Sequence, residues 1–176
     1  MGELSHQTLA DAVNAQYQAL CVVNRRSAAQ EIYGLLAPEG RYCLTTLLCP
    51  ADRTRLLEDI RRRLLAGEAC RVVSTSLIEA GVDVDFPAAY REEAGLDSVL
   101  QTAGRCNREG RRTAQESVVG VFSTEQGAPA MLAQNVSAFR AVQQAFSDWA
   151  LPDAVAHYFH ALFSLKGPEA LDAKQV

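Results

Sequence analysis

The chain has 176 residues, of which 48% are hydrophobic and 22% charged, with a net charge of −4 and a pI near 5.4. That is enough chain to bury a core, and the composition is that of an ordinary globular domain without low-complexity segments. The acidic balance excludes a free-standing basic nucleic-acid binder, so any nucleic-acid contact must come from a local patch or a partner domain.

In chain order, Ser5 to Gln18 carries Leu9, Ala12, Val13 and Tyr17 near helical spacing and predicts an amphipathic helix capped at Ser5 or Thr8. Ala19 to Asn24 predicts a buried strand, and Arg25 to Ala37 the helix that follows it, turning Ala28, Ala29, Ile32, Leu35 and Leu36 toward a sheet. After a turn at Pro38 to Gly40, Tyr42 to Leu48 predicts a second strand, stopped by Pro50. Ala51 to Ala66 has the clearest helical stripe, with Asp52 in its first turn and Gly67 at its end. Cys70 to Thr75 is an apolar β-branched run that breaks into small polar residues, as buried parallel strands do where they deliver a loop to a ligand. Leu96 to Thr102 predicts a short helix, Glu116 to Ser123 a further strand, and Ala130 to Phe146 with Leu151 to Leu165 a helical hairpin. The alternation implies an α/β fold with a mainly parallel sheet and helices on both faces. Loops at the strand ends would then share one edge, where Thr75, Asp83 and Arg108 are expected to meet.

Four arginines fall within eight positions, Arg105, Arg108, Arg111 and Arg112. Guanidinium forks suit phosphate oxygens, and such a cluster is expected to need an anion to offset its own repulsion. His157 and His160 have no third ligand at metal spacing, and the carboxylates of Asp83 and Asp85 are expected to diverge, so neither pair is read as a metal site. Five cysteines at irregular spacings imply reduced thiols in a cytoplasmic protein. No apolar run reaches the roughly 18 residues of a membrane span, and no signal peptide is recognisable.

Ser74-Thr75, Val82-Asp83 and then Gln101-x-x-Gly104-Arg105-x-x-Arg108 resemble motifs V and VI of superfamily 2 helicases. The finer wording, STSLIEAGVDVDFP followed by LDSVLQTAGRCNREG, is similar to the helicase part of the CRISPR-associated helicase-nuclease of type I systems. VVNRRSAAQEIY is similar to its motif IV. The resemblance implies a second RecA-like domain over residues 1–126 and, over 127–176, a helical extension leading toward a linker and C-terminal domain.

It further implies that Arg105 and Arg108 act as arginine fingers on ATP, helped by Gln101. Asp83, Gly81 and Gly104 would shape the nucleotide site. Thr75, Ser74 and Ser76, with Asn24 and Arg25, would meet a single DNA strand. The sequence contains no G-x-x-x-x-G-K-[ST] and no D-E-x-H string, so the phosphate cradle and the Mg²⁺ would belong to a first RecA-like domain. The implied partners are that domain, a nuclease domain and a CRISPR surveillance complex, with no membrane. A non-catalytic module docking on the parent enzyme or on its DNA-loaded complex stays open as an alternative. Thr102 stands where many relatives have arginine, and Arg112, just past the motif, is expected to be indifferent.

Overall fold

The computed structural model describes residues 2–79 and 82–167. Five strands, β1 (Gln18–Val22), β2 (Arg41–Leu44), β3 (Cys70–Ser74), β4 (Ala88–Glu92) and β5 (Val118–Phe122), form one sheet in the order β2-β3-β1-β4-β5. Every pairing between them is parallel. From β1 the chain runs to the edge strand β2, returns inward to β3 and then crosses to β4 and β5 on the other side of β1. The reversal opens a crevice beside β1 at the carboxyl ends of the strands, where α/β proteins accept ligands.

Helices α1 (His6–Asn14) and α2 (Arg26–Leu35) cover one face, burying Leu9, Val13, Ala29 and Ile32 against Cys21, Val73 and Tyr90. Helix α3 (Pro50–Ala66) covers the other, with Leu57 and Ile60 over Leu20, Val22 and Val72. Pro50, expected to stop a strand, instead opens this helix, where its missing N–H costs nothing; β2 has already ended at Leu44. Gly67 closes α3 at φ 68, a left-handed conformation that glycine adopts freely.

The element the sequence reading lacks is β4, whose five residues are all buried. Two of them are Arg91 and Glu92, each 2% exposed, so the apolar run that marks a buried strand is absent. The long helix read over Ala130 to Phe146 is a 3₁₀ turn (Ala130–Leu132) running into α5 (Ala133–Ala145).

The hairpin of α5 and α6 (Pro152–Lys166) folds back onto α4 (Leu96–Ala103), burying Leu96, Val99, Phe139, Val142, Tyr158 and Leu162 together. Tyr158 donates to Asp97 Oδ1 at 2.9 Å, and Arg140 grips Glu93 through two hydrogen bonds of 2.8 and 2.6 Å. Gly95 is required here, because a Cβ would lie 2.4 Å from the Tyr158 hydroxyl and 2.3 Å from Asp97. Gly95→Ala should therefore destabilise the fold by about 1–3 kcal/mol through overpacking. Thermal unfolding checks this, and a melting temperature equal to wild type would contradict the packing described.

All five cysteines are free thiols, and burial pushes Cys70 up to about 12, leaving it unreactive. No described helix is long and apolar enough to cross a membrane.

Candidate functional site

β3 ends at Ser74, and a 3₁₀ turn (Ser76–Ile78) begins at once, with Thr75 in extended conformation before it. The Ser74 hydroxyl is fully buried and faces the carbonyls of Leu44 and Thr75 at 3.1 and 2.7 Å, so it is spent inside the domain. Thr75 differs. It is 7% exposed, and its Oγ1 has no hydrogen-bond partner among the described residues. A buried hydroxyl left unpaired is costly, and the economical account is an acceptor or donor supplied by a ligand. Ser76 is exposed beside it.

Past the turn, Val82, Val84 and Phe86 bury into the α3 face while Asp83 and Asp85 point outward. The carboxylates thus do not diverge as expected, because residues two apart in an extended segment share a face. Each is taken by an arginine. Arg108 Nη1 lies 2.9 Å from Asp83, and Arg112 Nη1 lies 3.2 Å from Asp85. Asp85 also accepts the Arg108 backbone N–H at 2.8 Å.

The arginine turn is docked against Phe86, whose N–H bonds the Arg105 carbonyl and whose carbonyl accepts from Asn107, at 2.9 and 3.0 Å. Asn107 holds the left-handed conformation, φ 51, and its amide side chain bonds the Arg112 carbonyl and N–H at 2.7 and 2.9 Å. Asparagine tolerates that conformation and can hydrogen-bond locally, which is the signal the sequence reading passed over. Arg112 is therefore part of the turn's scaffold and not an indifferent neighbour. The cluster also needs no external anion for its fold: Arg111 pairs with Glu109 at 3.0 Å, and Arg105 donates to the Glu79 carbonyl at 2.7 Å.

Arg105 and Arg108 differ in how tightly they are held. Arg105 is half-buried, and burial, then the Arg108 cation, press its pKa down while Asp83 opposes them; its Nε is buried without a partner. Arg108 is exposed, and its pair with Asp83 is a surface contact of the kind worth about 0–1 kcal/mol, cheap to exchange for a stronger anion. Gln101 is exposed on α4, one turn before Arg105. Gly104 follows α4 as its C-cap, and Gly81 lies outside the described residues.

The structure pairs Asp83 with Arg108, and Thr75 shares no hydrogen bond or ion pair with either among the described residues. The reason is topological. Thr75 sits at the carboxyl end of β3, whereas the arginine turn docks just ahead of β4, beside Phe86 and Pro87.

Asn24 and Arg25 follow β1. Asn24 is committed internally, its N–H to Glu92 at 2.7 Å, its amide nitrogen to the Glu93 carbonyl at 2.9 Å and its oxygen to Arg91 at 2.8 Å. Arg25 bonds the Gly127 carbonyl and lines a shallow depression with Arg26, Ser27, Gln30 and Leu47. Neither Glu79 nor Arg91 is evident from sequence, yet they form the buried centre of this region: Arg91 Nε lies 2.9 Å from Glu79 Oε1, an ion pair rather than an aligned hydrogen bond. Among the described residues no cluster of three or more His, Cys, Asp or Glu could hold a metal.

The family described as CRISPR-associated nuclease/helicase Cas3, C-terminal, matches residues 15–111. The CRISPR-associated nuclease/helicase Cas3 of Haloferax volcanii is 38% identical over 107 residues, a stretch covering 56% of this chain and 11% of that protein. The fold is that of the T. fusca Cas3–ATP crystal structure, with a TM-score of 0.70 at 19% identity over 98% of this chain and 23% of that one. A chain of a CRISPR RNA-guided surveillance complex in a pre-nicking state is similar over 90% of this chain and 23% of its own length, with a TM-score of 0.61 at 20% identity.

Proposed function

The chain belongs to the family of Cas3 C-terminal helicase regions, and from that premise we propose that it is the second half of an ATP-driven single-stranded DNA translocase. In this reading Arg105 and Arg108 reach the γ-phosphate of an ATP held by a first RecA-like domain, which also holds Mg²⁺. Gln101 orients the attacking water or the arginines. Asp83 keeps Arg108 docked until nucleotide competes for it. Thr75 and Ser76, with Arg25, meet phosphates of the DNA strand. A CRISPR surveillance complex would load that strand.

The observation that carries the reading is the difference between the two arginines on one turn. Arg105 is anchored through Nη2 with Nε unpartnered, and Arg108 is held by a single exposed carboxylate. Two preorganised guanidinium groups near a phosphoryl group stabilise the charge that develops in transfer and need no covalent step of their own. ATP supplies the transferable phosphoryl group; this chain supplies cations and their positioning.

The direct test is reconstitution. The chain alone should hydrolyse ATP at background with or without single-stranded DNA, and turnover should appear only when the first RecA-like domain is joined to it. Turnover by the chain alone that is unchanged in Arg108→Ala would overturn the reading.

Thr75 gives a second test. Thr75→Val removes an unpaired buried hydroxyl and keeps the volume, so the melting temperature should hold or rise. In the complete helicase the same change should weaken DNA binding by about 1–3 kcal/mol, the worth of a charge-assisted phosphate hydrogen bond, with nucleotide affinity nearly intact. An equal loss of nucleotide affinity would show that the role is misassigned.

A further inference from the structure

Among the described residues the Arg105 guanidinium has one hydrogen bond, to the carbonyl of Glu79, so what fixes Glu79 helps to fix Arg105. The Glu79 side chain, 6% exposed, is fixed by Arg91, with the Thr102 hydroxyl at 3.5 Å as a weaker contact from α4. Arg91 in turn donates to Asn24 Oδ1 and to the Glu92 carbonyl, both at 2.8 Å, and Glu92 accepts the Asn24 N–H. Three segments therefore share one buried pair: the loop after β1, the turn after β3 that begins at Thr75, and the arginine turn after α4.

We infer that Glu79 and Arg91 are the positioning residues of the nucleotide half-site, holding Arg105 in register with the strand-end loops through the Glu79 carbonyl. The inference rests on the reading of Arg105 as a phosphate-facing group. Burial pushes the Glu79 carboxyl up, with Arg91 opposing, and pushes the Arg91 guanidinium down, with Glu79 and Glu92 opposing. A pair whose partners both resist desolvation adds little to stability over an apolar pair of similar volume. Its worth here is geometric.

The experiment uses the complete helicase and replaces the pair together, Glu79→Leu with Arg91→Met, so that neither member of the pair is left without the other, while Glu92 keeps the Asn24 N–H. DNA-stimulated kcat per folded molecule should fall about 10–100-fold, the scale of a misplacement of about 1 Å, while the KM for ATP changes less than twofold. In an Arg105→Ala background the same double change should cause no further loss, because its effect passes through Arg105. Should the double variant unfold early, Glu79→Gln gives the same two readouts with volume retained.

Wild-type kcat in the double variant, or a loss that multiplies with Arg105→Ala, overturns the positioning role. If Arg105→Ala and Arg108→Ala themselves leave kcat at wild type, it is the assignment of the half-site that fails, and the inference with it.

Discussion

Replacing Arg108 with alanine in the complete helicase is expected to lower kcat by about 10³-fold or more while ATP affinity changes far less. The guanidinium is exposed and, among the described residues, tied only to Asp83 at 2.9 Å, so its removal strands no buried group there and the fold should keep its melting temperature. A finger acts on charge that develops during transfer, which separates kcat from binding. Arg108→Lys should fare little better, since a compact ammonium cannot reproduce the planar fork. Arg111→Ala is the control: its Glu109 pair is exposed, and kcat should stay close to wild type. Arg112 is unsuitable as a control because it braces Asp85. Steady-state kinetics with single-stranded DNA reads the three variants against wild type. A fall in kcat that only tracks a lowered folded fraction would make Arg108 a structural residue.

Arg91→Ala should have the largest effect on stability, a loss of about 3–5 kcal/mol, because it abandons Glu79 as a buried carboxylate without its cation. It also removes donors from Asn24 and from the Glu92 carbonyl. For a chain of this size the loss corresponds to a fall of roughly 6–20 °C in melting temperature. The apolar pair, Glu79→Leu with Arg91→Met, should recover the part that comes from the stranded Glu79 carboxylate, though not the lost donors to Asn24 and the Glu92 carbonyl. Differential scanning calorimetry on the three proteins checks this. A melting temperature for Arg91→Ala within a degree or two of wild type would contradict the buried network.

The parts of the fold legible in the sequence are those whose residues obey a single rule. Helix α3 announces itself through the Leu57 and Ile60 stripe and the Gly67 stop, β1 through the apolar run after Gln18, and β3 through its paired valines, Val72 and Val73. β4 obeys a different rule. Its interior positions are filled by Arg91 and Glu92, whose burial depends on partners far away in sequence, Asn24 and Glu79. The arginine turn shows the same limit. Its composition was readable, but the pairing of Asp83 with Arg108 and Asp85 with Arg112 depends on a segment running alongside it about 25 residues earlier. Thr75 was legible by motif alone, and its orphaned hydroxyl is visible only once the surrounding core is built.

On the proposal above, this chain completes an ATP site by reaching the transferring phosphoryl group with Arg108. The most direct measurement is the affinity of the complete helicase for ADP with aluminium fluoride, a mimic of the phosphoryl group in flight, beside its affinity for ADP. Arg108→Ala should weaken binding of the mimic by about 10²-fold or more and leave ADP binding unchanged. Equal affinity of wild type and Arg108→Ala for the mimic would contradict it.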